Sequence, residues 1–78
     1  MNSRQANELM IAIKHQLGSQ IYLIAKSRYR TARELADCTD INANQAQNIM
    51  NKVFEGITLD RLVETAFKLE LDVNLLIK

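Results

Sequence analysis

Apolar residues return at intervals of three and four along most of the chain, and at intervals of two only near its end. Ala6, Leu9, Met10, Ile13 and Leu17 make one stripe, which predicts a helix over residues 4–17. Gly18-Ser19 is a weak point, and from Gln20 the pattern resumes with Ile21, Leu23, Ile24 and Ala25. Met10, Ile13, Leu17, Ile21 and Ile24 keep their spacing across the glycine. One long helix and two shorter ones are both open, since an interior glycine costs only about 1 kcal/mol. The stripe on residues 4–17 is wider than a single small core needs, so an extra N-terminal helix over 1–17 that covers a partner is expected.

Ser27 to Arg30 reads as a connection, and Thr31 as the N-cap of a short second helix. Glu34, three residues on, completes a capping-box pattern in which the acid reaches back to the cap amide. Leu35 and Ala36 face inward, and the helix stops at Thr39-Asp40. Asp40 stands where a tight turn wants a left-handed backbone, which Asp tolerates better than most residues. Ile41 plugs the corner and Asn42 caps a third helix. After Lys52, a loop runs from Val53 to Ile57. Thr58 then caps a fourth helix to about Leu69, with Leu59, Leu62, Val63, Ala66, Phe67 and Leu69 inside. Asp60 in its first turn and Lys68 in its last both suit the helix dipole.

The final stretch changes period. Leu69, Leu71, Val73, Leu75 and Ile77 alternate with polar residues, with only Leu76 out of step, so residues 70–77 read as a strand. A lone strand leaves its amides unsatisfied, and pairing with the same strand of a second molecule about a two-fold axis is the economical remedy. Leu71, Val73, Leu75 and Ile77 are then the dimerisation residues. A frayed tail or a continued helix is the competing reading.

The third helix has the least ordinary composition. Asn42 to Asn51 holds six amide side chains in ten residues and no charge. On a helix, Ala46, Ile49 and Met50, followed by Val53, fall on one side. Ala43, Asn44, Gln47, Asn48 and Asn51 fall on the other, with Gln45 at the edge. Asn and Gln are middling helix formers, so propensity gives little reason to crowd them there. Their paired donor and acceptor do match the N6/N7 edge of adenine in the major groove. A plain solvated polar face is the bland alternative.

Charge shifts the balance. Net charge is only +1, yet residues 1–33 carry Arg4, Lys14, Lys26, Arg28, Arg30 and Arg33 against Glu8. The rest of the chain is net acidic, so a polyanion would meet one end and avoid the other. Seventy-eight residues allow one domain, and 47% apolar with 24% charged residues belongs to a folded chain. The absence of proline, with only two glycines, favours a mainly α fold. Leu9 to Ile13 is too short for a signal or membrane segment, so a cytoplasmic location is expected, with no membrane partner.

Catalytic chemistry finds little footing. His15 is the only histidine and has no cysteine or carboxylate constellation around it in sequence. Cys38 is the only cysteine, which excludes an internal disulfide and leaves no metal cluster. It is most simply a small packed residue, with a redox-sensing thiol as the sharper alternative. Tyr22, Tyr29, Phe54 and Phe67 are too dispersed for a base-stacking platform. Neither an enzyme nor a cofactor or metal site is expected.

Leu17-Gly18-Ser19, Ile21, Arg28, Thr31-Ala32-Arg33-Glu34-Leu35-Ala36, Ile41-Asn42, Ile49 and Asn51 together resemble the phage Cro/repressor-like (XRE) helix-turn-helix family. The run Asn51 to Leu62 with the alternating tail looks like its compact branch, which includes HigA-type antitoxins. The resemblance covers roughly residues 17–77. It implies a lambda-repressor-like bundle of four to five helices with the helix-turn-helix over 31–51 and a short C-terminal strand that pairs across a dimer. In that family the third helix lies in the major groove and the first turn of the second contacts phosphate. Carried over, Ala43, Asn44, Gln45, Gln47 and Asn48 read bases. Arg28, Arg30, Thr31, Arg33, Asn42, Asn51 and Lys52 meet the backbone. Three positions depart from the pattern: Ala32 where glutamine is usual, Asp40 at the turn glycine, and Lys52 at a second glycine.

The expected function is a sequence-specific double-stranded DNA-binding regulator, a dimeric (auto)repressor on a near-palindromic operator. The alternative is an antitoxin that neutralises a small toxin protein and represses its own operon.

Overall fold

The computed structural model describes residues 2–70, which form four helices. These are α1 (Ser3–Arg28), α2 (Ala32–Thr39), α3 (Ala43–Met50) and α4 (Leu59–Lys68). The tail expected to form a strand, with Leu71, Val73, Leu75 and Ile77, lies outside the described residues.

Each helix starts where a short polar side chain can accept from its first turn. Asn2, Thr31, Asn42 and Thr58 accept from the backbone N–H of Gln5, Glu34, Gln45 and Arg61 respectively. Such a cap is worth about 1 kcal/mol. The expected box at Thr31 is displaced by one residue. Glu34 Oε2 accepts from the N–H of Arg30 at 3.5 Å instead of from Thr31.

α1 is unbroken through Gly18, and it continues to Arg28, so the connection begins at Tyr29 and not at Ser27. At about 1.5 Å per residue its 26 residues account for the 40 Å long axis of the molecule. Only its second half is buried. Leu17, Gly18, Ile21 and Ala25 face the core, whereas Leu9, Met10 and Ile11 are each about half exposed. The connection at Phe54-Glu55 meets this half of α1 at Ile11 and Lys14, and Lys14 Nζ donates to the carbonyl of Glu55 at 3.1 Å. The apolar stripe is exposed at Leu9 and Met10 and half-buried at Ile13 before it enters the core at Leu17.

The core combines Leu17, Ile21 and Ala25 of α1 with Leu35 of α2, Ile41, Ala46 and Ile49, and then Phe54, Ile57, Leu62, Ala66 and Leu69. Burying a Leu, Ile or Phe side chain stabilises by about 1.5–3 kcal/mol, which is what draws three short helices onto half of one long one. α4 turns slightly from the expected face. Thr65 is buried, with its hydroxyl donating to the carbonyl of Arg61 at 2.8 Å. Phe67, expected inside, is 65% exposed. Val53 is likewise exposed, because the chain leaves α3 before completing another turn.

Among the described residues no helix is long and apolar enough to cross a membrane.

Candidate nucleic-acid interface

α2 and α3 are two eight-residue helices joined through Asp40-Ile41-Asn42. Asp40 has φ 61° and ψ 17°, the left-handed conformation expected of it. Ile41 is 5% exposed and closes the corner against the core. With Leu35, Ala36, Ala46 and Ile49 buried, the opposite side of α3 is left to solvent.

That side carries the amides, but they are not equally free. Ala43, Asn44, Gln47 and Asn51 are exposed, while Gln45 and Asn48 are half-buried. Asn42 Oδ1 accepts from the N–H of Gln45 at 2.7 Å, and Gln45 Oε1 accepts from the N–H of Asn42 at 3.4 Å. Gln45 is thus part of the cap, and only its amide nitrogen is available to a ligand. Gln47 Nε2 donates to Asn51 Oδ1 at 3.4 Å, one turn on, so those two act as a pair. Asn44 is the exposed amide with no side-chain commitment among the described residues.

The charged side chains fall into two groups. Arg4, Arg61 and Lys68 are matched with Glu8, Glu64 and Asp40. Lys26, Arg28, Arg30, Arg33 and Lys52 have no carboxylate within salt-bridge distance among the described residues. Arg28 is partly spoken for, since Nη1 donates to the carbonyl of Leu69 at 3.3 Å across the end of α4. The hydroxyl of Thr31 is committed to the cap, accepting from the N–H of Glu34 at 3.2 Å.

Asp40 puts a negative charge in the α2–α3 turn, but Lys68 of α4 hydrogen-bonds to it. That bond and the attraction behind it hold the Asp40 carboxyl below the usual carboxylate range. Lys68 was read from the sequence only as a complement to the α4 dipole. On the far side of α2, partial burial and then the neighbouring Cys38 raise the Tyr29 phenol above its ordinary value. Cys38 itself is exposed and not a packed residue.

Sequence reasoning missed one grouping near this face. Lys52 Nζ lies 4.7 Å from the ring centre of Tyr22, and Lys26 Nζ lies 6.0 Å from it. Away from α3, His15 Nε2 stands 3.9 Å from Glu55 Oε1 beside a groove of about 270 Å³ lined also by Ile11, Lys14 and Phe54. His15 is edge-on to the Phe54 ring, with ring centres 5.6 Å apart.

No family model, curated protein or solved structure matches this chain.

Proposed function

We propose that the chain is a sequence-specific double-stranded DNA-binding regulator, with α2 and α3 as a helix-turn-helix of the phage Cro/repressor-like (XRE) kind. One observation carries the reading. A short helix exposes an uncharged amide face in a molecule whose Arg30, Arg33 and Lys52 meet no carboxylate among the described residues. Cations left unmatched on a surface attract phosphate, and amides beside them suit base edges. Backbone geometry lends support: the two positions at which the family usually has glycine, Asp40 and Lys52, have φ 61° and φ 60°. A left-handed residue at each is what that family's glycines provide. Lys68, paired with Asp40, offsets the repulsion that an acid in the turn would exert on a duplex.

Arg30, Arg33 and Lys52 supply salt-dependent, sequence-blind affinity, and Asn44 with Asn48 and the Gln47–Asn51 pair reads bases. A homodimer would set two such helices about 34 Å apart, one turn of duplex, on a near-palindromic operator. Occupancy of a promoter then represses without any chemistry.

Titration of random duplex in low salt is the first test, because even non-specific affinity is visible there. Absence of binding to any duplex in about 20 mM salt would sink the reading.

A second reading rests on a different observation. Leu9, Met10 and Ile11 are 49%, 46% and 54% exposed on the projecting half of α1. Exposed apolar side chains grouped on one projecting helix are the kind of surface a protein partner covers. In this reading the chain is also an antitoxin, masking a small toxin through α1 while α3 holds the operon's DNA. Co-expression with the product of the neighbouring gene and recovery of a stoichiometric complex tests it. A complex that survives Met10→Glu would remove α1 from the account.

A further inference from the structure

Lys52 follows α3 by two residues, where φ 60° turns the chain back toward α1. Its ammonium group comes to 4.7 Å from the centre of the Tyr22 ring. Lys26, one helical turn after Tyr22, approaches the same ring at 6.0 Å. Both lysines are exposed, the tyrosine is half-buried, and neither lysine meets a carboxylate among the described residues. Two ammonium groups drawn to one ring bring two positive charges to one part of the surface. Positive charge concentrated in this way attracts an anion.

We propose that Tyr22, Lys26 and Lys52 form a clasp for backbone phosphates of duplex DNA at the C-terminal end of α3. The proposal rests on the DNA-binding reading above and extends it to α1, which that reading leaves as a scaffold. The lysines contact phosphate, and Tyr22 is a positioning residue that gathers the ammonium groups. The clasp adjoins the last turn of α3, where the Gln47–Asn51 pair is exposed. Arg30 and Arg33 flank the start of α2, so the phosphate contacts come from separate elements. Contacts of that kind fix the orientation of the protein on the duplex as well as its position.

The test is the salt dependence of duplex binding by the full chain and by Lys26→Gln, Lys52→Gln, Arg33→Gln, Tyr22→Leu, Tyr22→Phe and Arg4→Gln. Melting by circular dichroism checks that each variant is folded. Each of the Lys26 and Lys52 variants is expected to make the slope of log K against log salt shallower by about 0.9. Tyr22→Leu scatters the ammonium groups and lowers affinity and slope together. Tyr22→Phe keeps the ring and the wild-type slope, and Arg4→Gln, at the far end of α1, leaves both unchanged. Millimolar inorganic phosphate is expected to compete no better than chloride of equal ionic strength. Stronger competition would mark a small-anion site and overturn the clasp. If Arg33→Gln lowers the slope while Lys26→Gln and Lys52→Gln do not, the clasp is wrong and the DNA-binding reading stands. If the wild type binds no duplex at low salt, both fall.

Discussion

The Phe54 ring occupies the space in which a side chain on Gly18 would stand. A β-carbon at Gly18 would lie 2.6 Å from Cδ1 of Phe54 and 2.7 Å from Cε1 and Cγ. Phe54 is 1% exposed, so moving its ring disturbs the packing around it. Gly18→Ala adds helix propensity worth about 1 kcal/mol, but overpacking a filled core costs about 1–3 kcal/mol. Net destabilisation is expected in urea unfolding, and Phe54→Leu in the same chain should recover part of it. A Gly18→Ala variant more stable than the wild type would mean the ring can move.

The two halves of the α1 stripe should respond differently to mutation. Leu17 is 2% exposed and Met10 46%. Leu17→Ala is expected to cost about 2–5 kcal/mol, the range for truncating a buried leucine. Met10→Lys should stay within about 0.5 kcal/mol in the isolated chain, as surface changes do. Equal losses at the two positions would show that the projecting half of α1 is covered in solution.

Stability should carry the signature of the Asp40–Lys68 pair at acid pH. Lys68 lowers the Asp40 pKa in the folded state, so its contribution is present above the unfolded value of about 3.9. It is lost as the pH falls through the lower folded value. Lys68→Met should therefore be less stable than the wild type at neutral pH, with the gap closing below about pH 4. NMR titration of the Asp40 carboxyl checks the same point directly, since its midpoint should rise in the variant.

Asn42 joins the turn to α3 through its cap. Asn42→Ala removes the acceptor for the N–H of Gln45 and frees the Gln45 side chain from the cap. A loss of about 1 kcal/mol is expected. Asn42→Asp, which keeps the acceptor, should be nearly neutral in the same measurement.

Base reading and phosphate holding should separate by mutation. Asn44→Ala is expected to narrow the difference between the preferred duplex and a scrambled one by about 1–3 kcal/mol. Arg33→Ala should weaken both duplexes alike and flatten the salt dependence. Parallel losses from the two variants on every duplex would show that α3 does not discriminate.

Helix positions and caps were legible along the chain because they are local. Thr31, Asn42 and Thr58 each bond a backbone amide three residues away, and such bonds need no knowledge of the fold. The left-handed turn at Asp40 was legible for the same reason. Asn44 could be picked out from composition and periodicity together. The commitments of Gln45 to its cap and of Arg28 to the end of α4 could not, because both depend on side-chain placement. Phe67 was misplaced because α4 has apolar residues on more than one side, and periodicity does not rank them.

By itself, the sequence determined the starting points of α2, α3 and α4, the amide-rich character of α3, and the gathering of basic residues before α2, while leaving one or two helices open ahead of them. Each follows from spacings of three or four residues. Tertiary structure alone decided that Gly18 is a notch for Phe54 rather than a break. It also decided that Lys68 neutralises an aspartate 28 residues away, and that Tyr22 draws in lysines from two elements. Periodicity names the apolar face of a helix, but the packing of other elements decides how much of that face is covered. Half of the α1 stripe is core and half is surface for that reason.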